Sequence, residues 1–113
     1  MTKGKFKIPI YDFTVEVFVF DNIKEAVEEF PGIVDEGMRG CTIEYIGGPR
    51  CRLVIPCDNI STVIHELEHV KNLVWKYIGY KPKEDNDEPD AYLMSYLYEQ
   101  AEKTLNRHIA SKC

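Results

Sequence analysis

Two histidines and a glutamate within five residues form the stretch of this sequence with the clearest chemistry. In a helix, His65 and His69 lie one turn apart on the same face, with Glu66 beside them. Two neutral imidazoles at this spacing can bind one tetrahedral metal ion, which leaves positions for a third protein ligand and a water. Zn²⁺ would lower the pKa of that water toward ~7, and Glu66 is placed to accept its proton. The spacing therefore predicts a hydrolytic metal site.

The surrounding residues predict the helix that this site requires. Apolar residues recur three and four positions apart from Ile60 to about Tyr77. Asp58 or Asn59 can cap the first turn, and Gly79 follows near the predicted end. The alternative interpretation is a helix whose polar face carries two histidines by chance, because H-E-x-x-H has only three fixed residues.

An acidic segment after this helix is expected to supply the third ligand. Glu88 follows His69 across a polar loop that is long enough to reverse the chain. A last helix is predicted from Glu88 or Pro89 to about Ile109, packed antiparallel against the preceding one. Glu88 is the first candidate ligand and Asp90 the second. Alternatively, these acids only favour the positive end of a helix dipole, and neither binds metal.

The first half of the chain has the pattern of strands and one short helix. Residues 5–20 alternate and are rich in β-branched and aromatic side chains, which predicts either one bent strand or a hairpin. Asn22 and Glu25 are typical of a helix start, and Pro31 and Gly32 end that helix. Residues 41–46 and 51–55 predict an antiparallel hairpin around a glycine-rich turn. These elements predict an α+β fold with a small, mostly antiparallel sheet and a single domain over residues 1–113.

Composition restricts the partners and the location. The 113 residues include 14 basic and 19 acidic side chains, a net charge of -5, so nucleic acid is not an expected partner. The absence of a secretory signal or a long apolar run predicts a cytoplasmic protein without a membrane partner. The four cysteines form no C-x-x-C pair and are expected to be free thiols, although Cys41 and Cys51 could face each other across the hairpin.

Residues 61–97 resemble the zincin metallopeptidases, in the gluzincin arrangement where the third ligand is a glutamate on the next helix. The resemblance is carried by the run H-E-L-E-H at 65–69 and the run N-D-E-P-D-A-Y-L at 86–93. It is greatest to small bacteriophage proteins that pair H-E-x-x-H with N-D-E-x-x-A-Y-L. It implies a minimal zincin-like domain, and a location in the host cytoplasm if the protein is phage-encoded.

The resemblance also implies roles for individual residues. His65, His69 and Glu88 would bind Zn²⁺, and Glu66 would be the catalytic base. A peptide or protein substrate would bind in extended form alongside residues 51–55, as an added strand at a sheet edge. Candidates for the oxyanion stabiliser are chosen by residue type alone, namely Tyr92, Tyr96 and His108.

Two functions follow from this pattern. The leading hypothesis is a zinc metallopeptidase. The alternative is a non-catalytic zinc-fold phage protein that binds and modulates a host or phage partner, because the chain shows no second substrate-binding domain. A metal-free interaction domain with a chance motif is a third, weaker interpretation. The sequence makes no prediction of oligomeric state.

Overall fold

A computed structural model describes residues 1–45 and 48–112, which form four strands and three helices. Ile46, Gly47 and Cys113 lie outside the described residues, so the structure covers only part of the predicted glycine-rich turn. In chain order the elements are β1 (Thr2–Ile8), β2 (Phe13–Phe20), α1 (Ile23–Glu29), β3 (Cys41–Glu44), β4 (Arg50–Pro56), α2 (Ile60–Ile78) and α3 (Glu88–Ser111).

The strands form one mixed sheet in the order β1-β2-β4-β3. β1 and β2 pair antiparallel, as do β3 and β4, whereas the central pair of β2 and β4 is parallel. The first strand-rich segment is therefore a hairpin and not one bent strand. Asp12 lies in its turn with a φ of 54°. The α+β class is confirmed.

The expectation that residues 51–55 form an edge strand is wrong. β4 has β2 on one side and β3 on the other, so it lies inside the sheet. The crossover through α1 brings β4 parallel to β2, and the second hairpin then places β3 outermost. The exposed edge beside the histidine helix is therefore β3. Cys41 pairs with Val54 and Cys51 with Glu44, so these two cysteines do not face each other.

Apolar side chains on both faces of β2 explain the layering of the fold. Val15, Val17 and Val19 are fully buried in the core beneath α2 and α3. Phe18 and Phe20 alternate with them and pack in a smaller cluster with α1. A central strand that is buried on both faces loses the polar alternation of an exposed strand.

The predicted helices form with the expected end signals. Asn59 caps α2 by accepting a hydrogen bond from the Thr62 amide at 3.2 Å, and Gly79 ends it in the left-handed region with a φ of 76°. α3 begins at Glu88, with Pro89 in its first turn, and extends two residues beyond the predicted Ile109. None of the described helices is long and apolar enough to cross a membrane.

Candidate hydrolytic and metal sites

The exposed face of α2 carries the histidine pair. The ring centroids of His65 and His69 lie 5.0 Å apart, and the ring planes are inclined by 82°. The helical repeat that buries Leu67 and Val70 against the sheet turns both imidazoles toward solvent. Both rings are therefore accessible to an ion from solution.

Glu66 differs from the histidines because it is buried, with 7% of its surface exposed. Its Oε1 accepts a hydrogen bond from the Thr42 hydroxyl at 2.8 Å. The same hydroxyl lies 3.1 Å from the Glu66 carbonyl oxygen. Since Thr42 belongs to β3, this contact fixes the carboxylate of the motif against the edge strand.

Gly40 permits this close packing of the edge strand against α2. A Cβ atom at Gly40 would lie 2.9 Å from Cγ2 of Thr62, 3.1 Å from the Val54 carbonyl oxygen and 3.2 Å from Cγ of Glu66. The backbone oxygen cannot move aside as a flexible side chain can. A residue without a side chain is therefore required beside Glu66.

Two surface grooves meet at Glu66. The first, here called the β3 groove, has a volume of about 470 Å³ and includes Thr42, His69 and Asn72 in its lining. The second, the Arg39 groove, measures about 500 Å³ and is lined by Arg39 and His65 among others. Glu66 lines both grooves, and its carboxylate contacts the edge strand at Thr42. A molecule in the β3 groove would contact Glu66 and His69, and one in the Arg39 groove would contact Glu66 and His65.

The two candidate ligands at the start of α3, Glu88 and Asp90, have different surroundings. Asp90 accepts hydrogen bonds from the Trp75 indole at 2.7 Å and the Lys71 ammonium at 2.6 Å, so it faces α2. Glu88 is exposed and lies two residues earlier, about 200° away around the helix. Glu88 therefore lies on a different side of α3 from Asp90.

Lys71 provides the positive charge at the junction of α2 and α3. Only 6% of the residue is exposed, and its ammonium also contacts Glu68 at 2.8 Å. Burial alone would lower the pKa of Lys71, but hydrogen bonds to Asp90 and Glu68 outweigh it and raise the pKa. The ammonium thus remains charged and neutralises the acids that could otherwise turn toward an ion.

The residues present fit a divalent ion only in part. His65 and His69 supply two accessible nitrogen donors and Glu66 a neighbouring carboxylate, but the structure does not bring Glu88 to them. Within residues 1–45 and 48–112, one group of three potential ligands has all its ligand atoms within 4.8 Å of one another: Asp21, Cys57 and His108. This second group could hold a metal ion. Its members are far apart in the chain, so no spacing pattern indicates it.

The candidate oxyanion stabilisers lie away from the two grooves. The Tyr96 hydroxyl donates to the Lys7 carbonyl oxygen at 3.0 Å, and His108 is held between Thr2 and Asp21. Tyr92 lines an apolar groove with Trp75 instead. Arg39 in the Arg39 groove and Lys76 in the β3 groove are cationic side chains that line a groove together with Glu66, and the position of Arg39 could not be inferred from the loop sequence.

Comparisons with known proteins supply no relative for this arrangement. No protein-family model, curated protein or solved structure matched the chain. The resemblance to zincins rests on the two sequence runs quoted above. Any function must therefore be argued from the residues and their geometry.

Proposed function

We propose that the protein is a metal-dependent hydrolase, with zinc as the ion and a peptide as the substrate. One observation carries the proposal: the buried Glu66 carboxylate lies where two grooves meet, beside two exposed imidazoles. A carboxylate buried at the floor of an open groove is costly unless it is hydrogen-bonded, and such groups are concentrated at functional sites. Thr42 supplies that hydrogen bond.

Each residue has a distinct role in this proposal. His65 and His69 hold the ion, and Glu66 accepts a proton at its carboxylate while Thr42 keeps that carboxylate oriented. A divalent ion at such a site lowers the pKa of bound water and polarises a substrate carbonyl. Arg39 lines the Arg39 groove together with His65 and Glu66. Its guanidinium is available there to bind a negatively charged group of the substrate.

The outer edge of β3 supports the choice of a peptide as substrate. β3 pairs only with β4, so the backbone groups along its other edge are available to an added strand. An extended peptide that pairs there would run beside Thr42 and across Glu66. This proposal replaces residues 51–55 with Cys41–Glu44 as the peptide-binding strand.

Glu88 is retained as the proposed third ligand. Hydrolytic zinc sites keep three protein ligands and one open position, and the histidine pair supplies only two. Glu88 can join them only if the first turn of α3 rotates, because Asp90 now occupies the side that faces α2. Its exposure leaves the Glu88 side chain unconstrained by packing.

The test compares Glu66→Gln with Glu68→Gln in the zinc-loaded protein. Both variants remove one negative charge from α2, but Glu68 contacts Lys71 and lines neither groove beside Glu66. Cleavage of a mixed peptide library, followed by mass spectrometry, should fall at least ~100-fold in Glu66→Gln and remain within a few-fold in Glu68→Gln. Equal cleavage by Glu66→Gln and the wild type would remove Glu66 as the base.

A second function is favoured by the contacts of Asp90. Because Lys71 and Trp75 already bind this acid, the start of α3 is stable without a metal ligand. The protein would then be a non-catalytic module that binds a partner strand at β3. In that case neither the wild type nor Glu66→Gln would cleave any peptide. Replacement of a β3 residue by proline would abolish partner binding.

A further inference from the structure

The parallel pair at the centre of the sheet brings two potential metal ligands together. Phe20 and Pro56 are partners at the carboxyl ends of β2 and β4. Asp21 and Cys57 immediately follow these two residues, and the Cys57 amide donates to the Phe20 carbonyl oxygen at 3.1 Å. The pairing of β2 with β4 thus brings the two side chains together, because each residue directly follows one of these strands.

α3 adds a buried histidine to this pair. His108 has 3% of its surface exposed, and its Nε2 lies 2.9 Å from Oδ1 of Asp21. The Cys57 sulfur lies 3.3 Å from the same oxygen. Carboxylate, thiol and imidazole are the three donor types that zinc sites combine, and here all of them converge.

Thr2 orients the imidazole toward the cluster. Its hydroxyl lies 2.7 Å from Nδ1 of His108, which leaves Nε2 as the nitrogen that faces Asp21 and Cys57. Histidines that bind metals commonly have their second nitrogen fixed by a hydrogen bond in this way. Besides its three potential ligands, the cluster therefore includes Thr2, which contacts the second ring nitrogen of His108.

A lysine ammonium currently occupies the position of a cation in this cluster. Nζ of Lys112 lies 2.7 Å from Oδ1 of Asp21 and 3.8 Å from the Cys57 sulfur. Hydrogen bonds, first from Lys112 and then from His108, hold the pKa of Asp21 well below its usual range. Half of the Lys112 side chain is exposed, so it can leave for solvent without repacking the core.

We propose that Asp21, Cys57 and His108 form a second metal site, selective for zinc-class ions, from which binding displaces Lys112. Thiolate and imidazole donors favour Zn²⁺ and Co²⁺ over Mg²⁺ or Ca²⁺. As the metal–sulfur bond forms, Cys57 releases its proton to solvent, and Lys112 leaves with its own proton. His108 gives up the Nε2 proton that faces Asp21 and keeps one proton on Nδ1, toward the Thr2 hydroxyl. The bound ion would tie the end of α3 to the ends of β2 and β4.

Cobalt titration of the full chain tests this site separately from the histidine pair on α2. A thiolate bound to Co²⁺ gives a charge-transfer band in the near ultraviolet, whereas the His65 and His69 site contains no sulfur. The band should appear in the wild type, be lost in Cys57→Ser and persist in a His65→Ala, His69→Ala double variant. Circular dichroism checks that Cys57→Ser is folded.

If metal binding displaces Lys112, a variant that lacks this lysine should bind the metal more tightly. Lys112→Gln should tighten Co²⁺ binding by about fivefold, because a competing exposed charge is removed. Lys103→Gln is the matched control, since Lys103 is an exposed lysine of α3, nine residues before Lys112, and its ammonium contacts Gln100. No band in the wild type, a band that survives in folded Cys57→Ser, or unchanged affinity in Lys112→Gln would each overturn the proposal.

Discussion

Glu66 shows how much of the candidate site depends on residues outside the motif. H-E-x-x-H predicts a base between two imidazoles, but the contact that holds the carboxylate comes from Thr42, 24 residues earlier in the chain. Gly40 then allows the backbone to approach. Neither residue belongs to a recognisable pattern, because their roles arise only when β3 packs beside α2. The place of Glu66 on the histidine helix was therefore predictable from the sequence, whereas the residues around its carboxylate were not.

The packing around Gly40 gives a prediction at the scale of a single residue. Gly40→Ala should destabilise the protein by about 1–3 kcal/mol, because the new Cβ meets the Val54 carbonyl oxygen and Glu66. Urea unfolding monitored by Trp75 fluorescence measures this change.

Gly37→Ala is the control for that measurement. A Cβ at Gly37 would meet only an exposed Asp35 carboxylate oxygen, which can move aside. Its free energy of unfolding should stay within about 0.5 kcal/mol of the wild type. Equal losses in the two variants would mean that close packing at Glu66 is not the cause.

Among the elements, the helices were predicted better than the sheet. Periodicity and end signals are local, so α2 and α3 could be placed to within about two residues from the sequence. The position of β4 inside the sheet depends on a pairing with β2, more than 30 residues away. No local pattern specifies that pairing, which is why residues 51–55 were wrongly expected to be an edge.

The start of α2 tests which residue caps the histidine helix. Asn59→Ala should cost about 1 kcal/mol in the free energy of unfolding, since the Thr62 amide loses its acceptor. Asp58→Ala, which changes the other residue that the sequence offered as a cap, should have a smaller effect. Chemical denaturation of both variants decides between them, and a larger loss in Asp58→Ala would contradict the assignment.

The contact between α2 and α3 predicts a dependence on pH. Burial raises the pKa of Asp90, but hydrogen bonds from Lys71 and Trp75 outweigh it and lower the pKa below the ordinary aspartate value of 3.8. A carboxyl group with a depressed pKa stabilises the fold above its unfolded pKa, and this stabilisation is lost as the pH falls. The stability difference between the wild type and Asp90→Asn should therefore shrink as the pH falls below 3.8.

Asp87→Asn is the control for the pH series. Asp87 is exposed and makes no side-chain hydrogen bond as the cap of α3. Thermal unfolding at several pH values should show little pH-dependent difference between this variant and the wild type. If the loss at low pH were the same for Asp87→Asn and Asp90→Asn, the contact with Lys71 and Trp75 would not be its source.

At the scale of the whole molecule, one sheet positions two potential cation sites, each at a different part of the sheet. The histidine pair and Glu66 lie beside the β3 edge, where we propose that a peptide adds as a strand. Asp21, Cys57 and His108 lie at the ends of the central parallel strands, where the cluster links sheet and α3. The first site was predicted from spacing, whereas the second depends on tertiary contacts alone.

Anomalous diffraction from crystals of the zinc-loaded protein locates any ion on α2. We expect a zinc ion about 2.0–2.1 Å from one nitrogen each of His65 and His69, beside Glu66, with Glu88 turned toward it. A second ion at Asp21, Cys57 and His108 would not affect this result. Zinc-loaded crystals with no anomalous peak between His65 and His69 would contradict the proposed hydrolase.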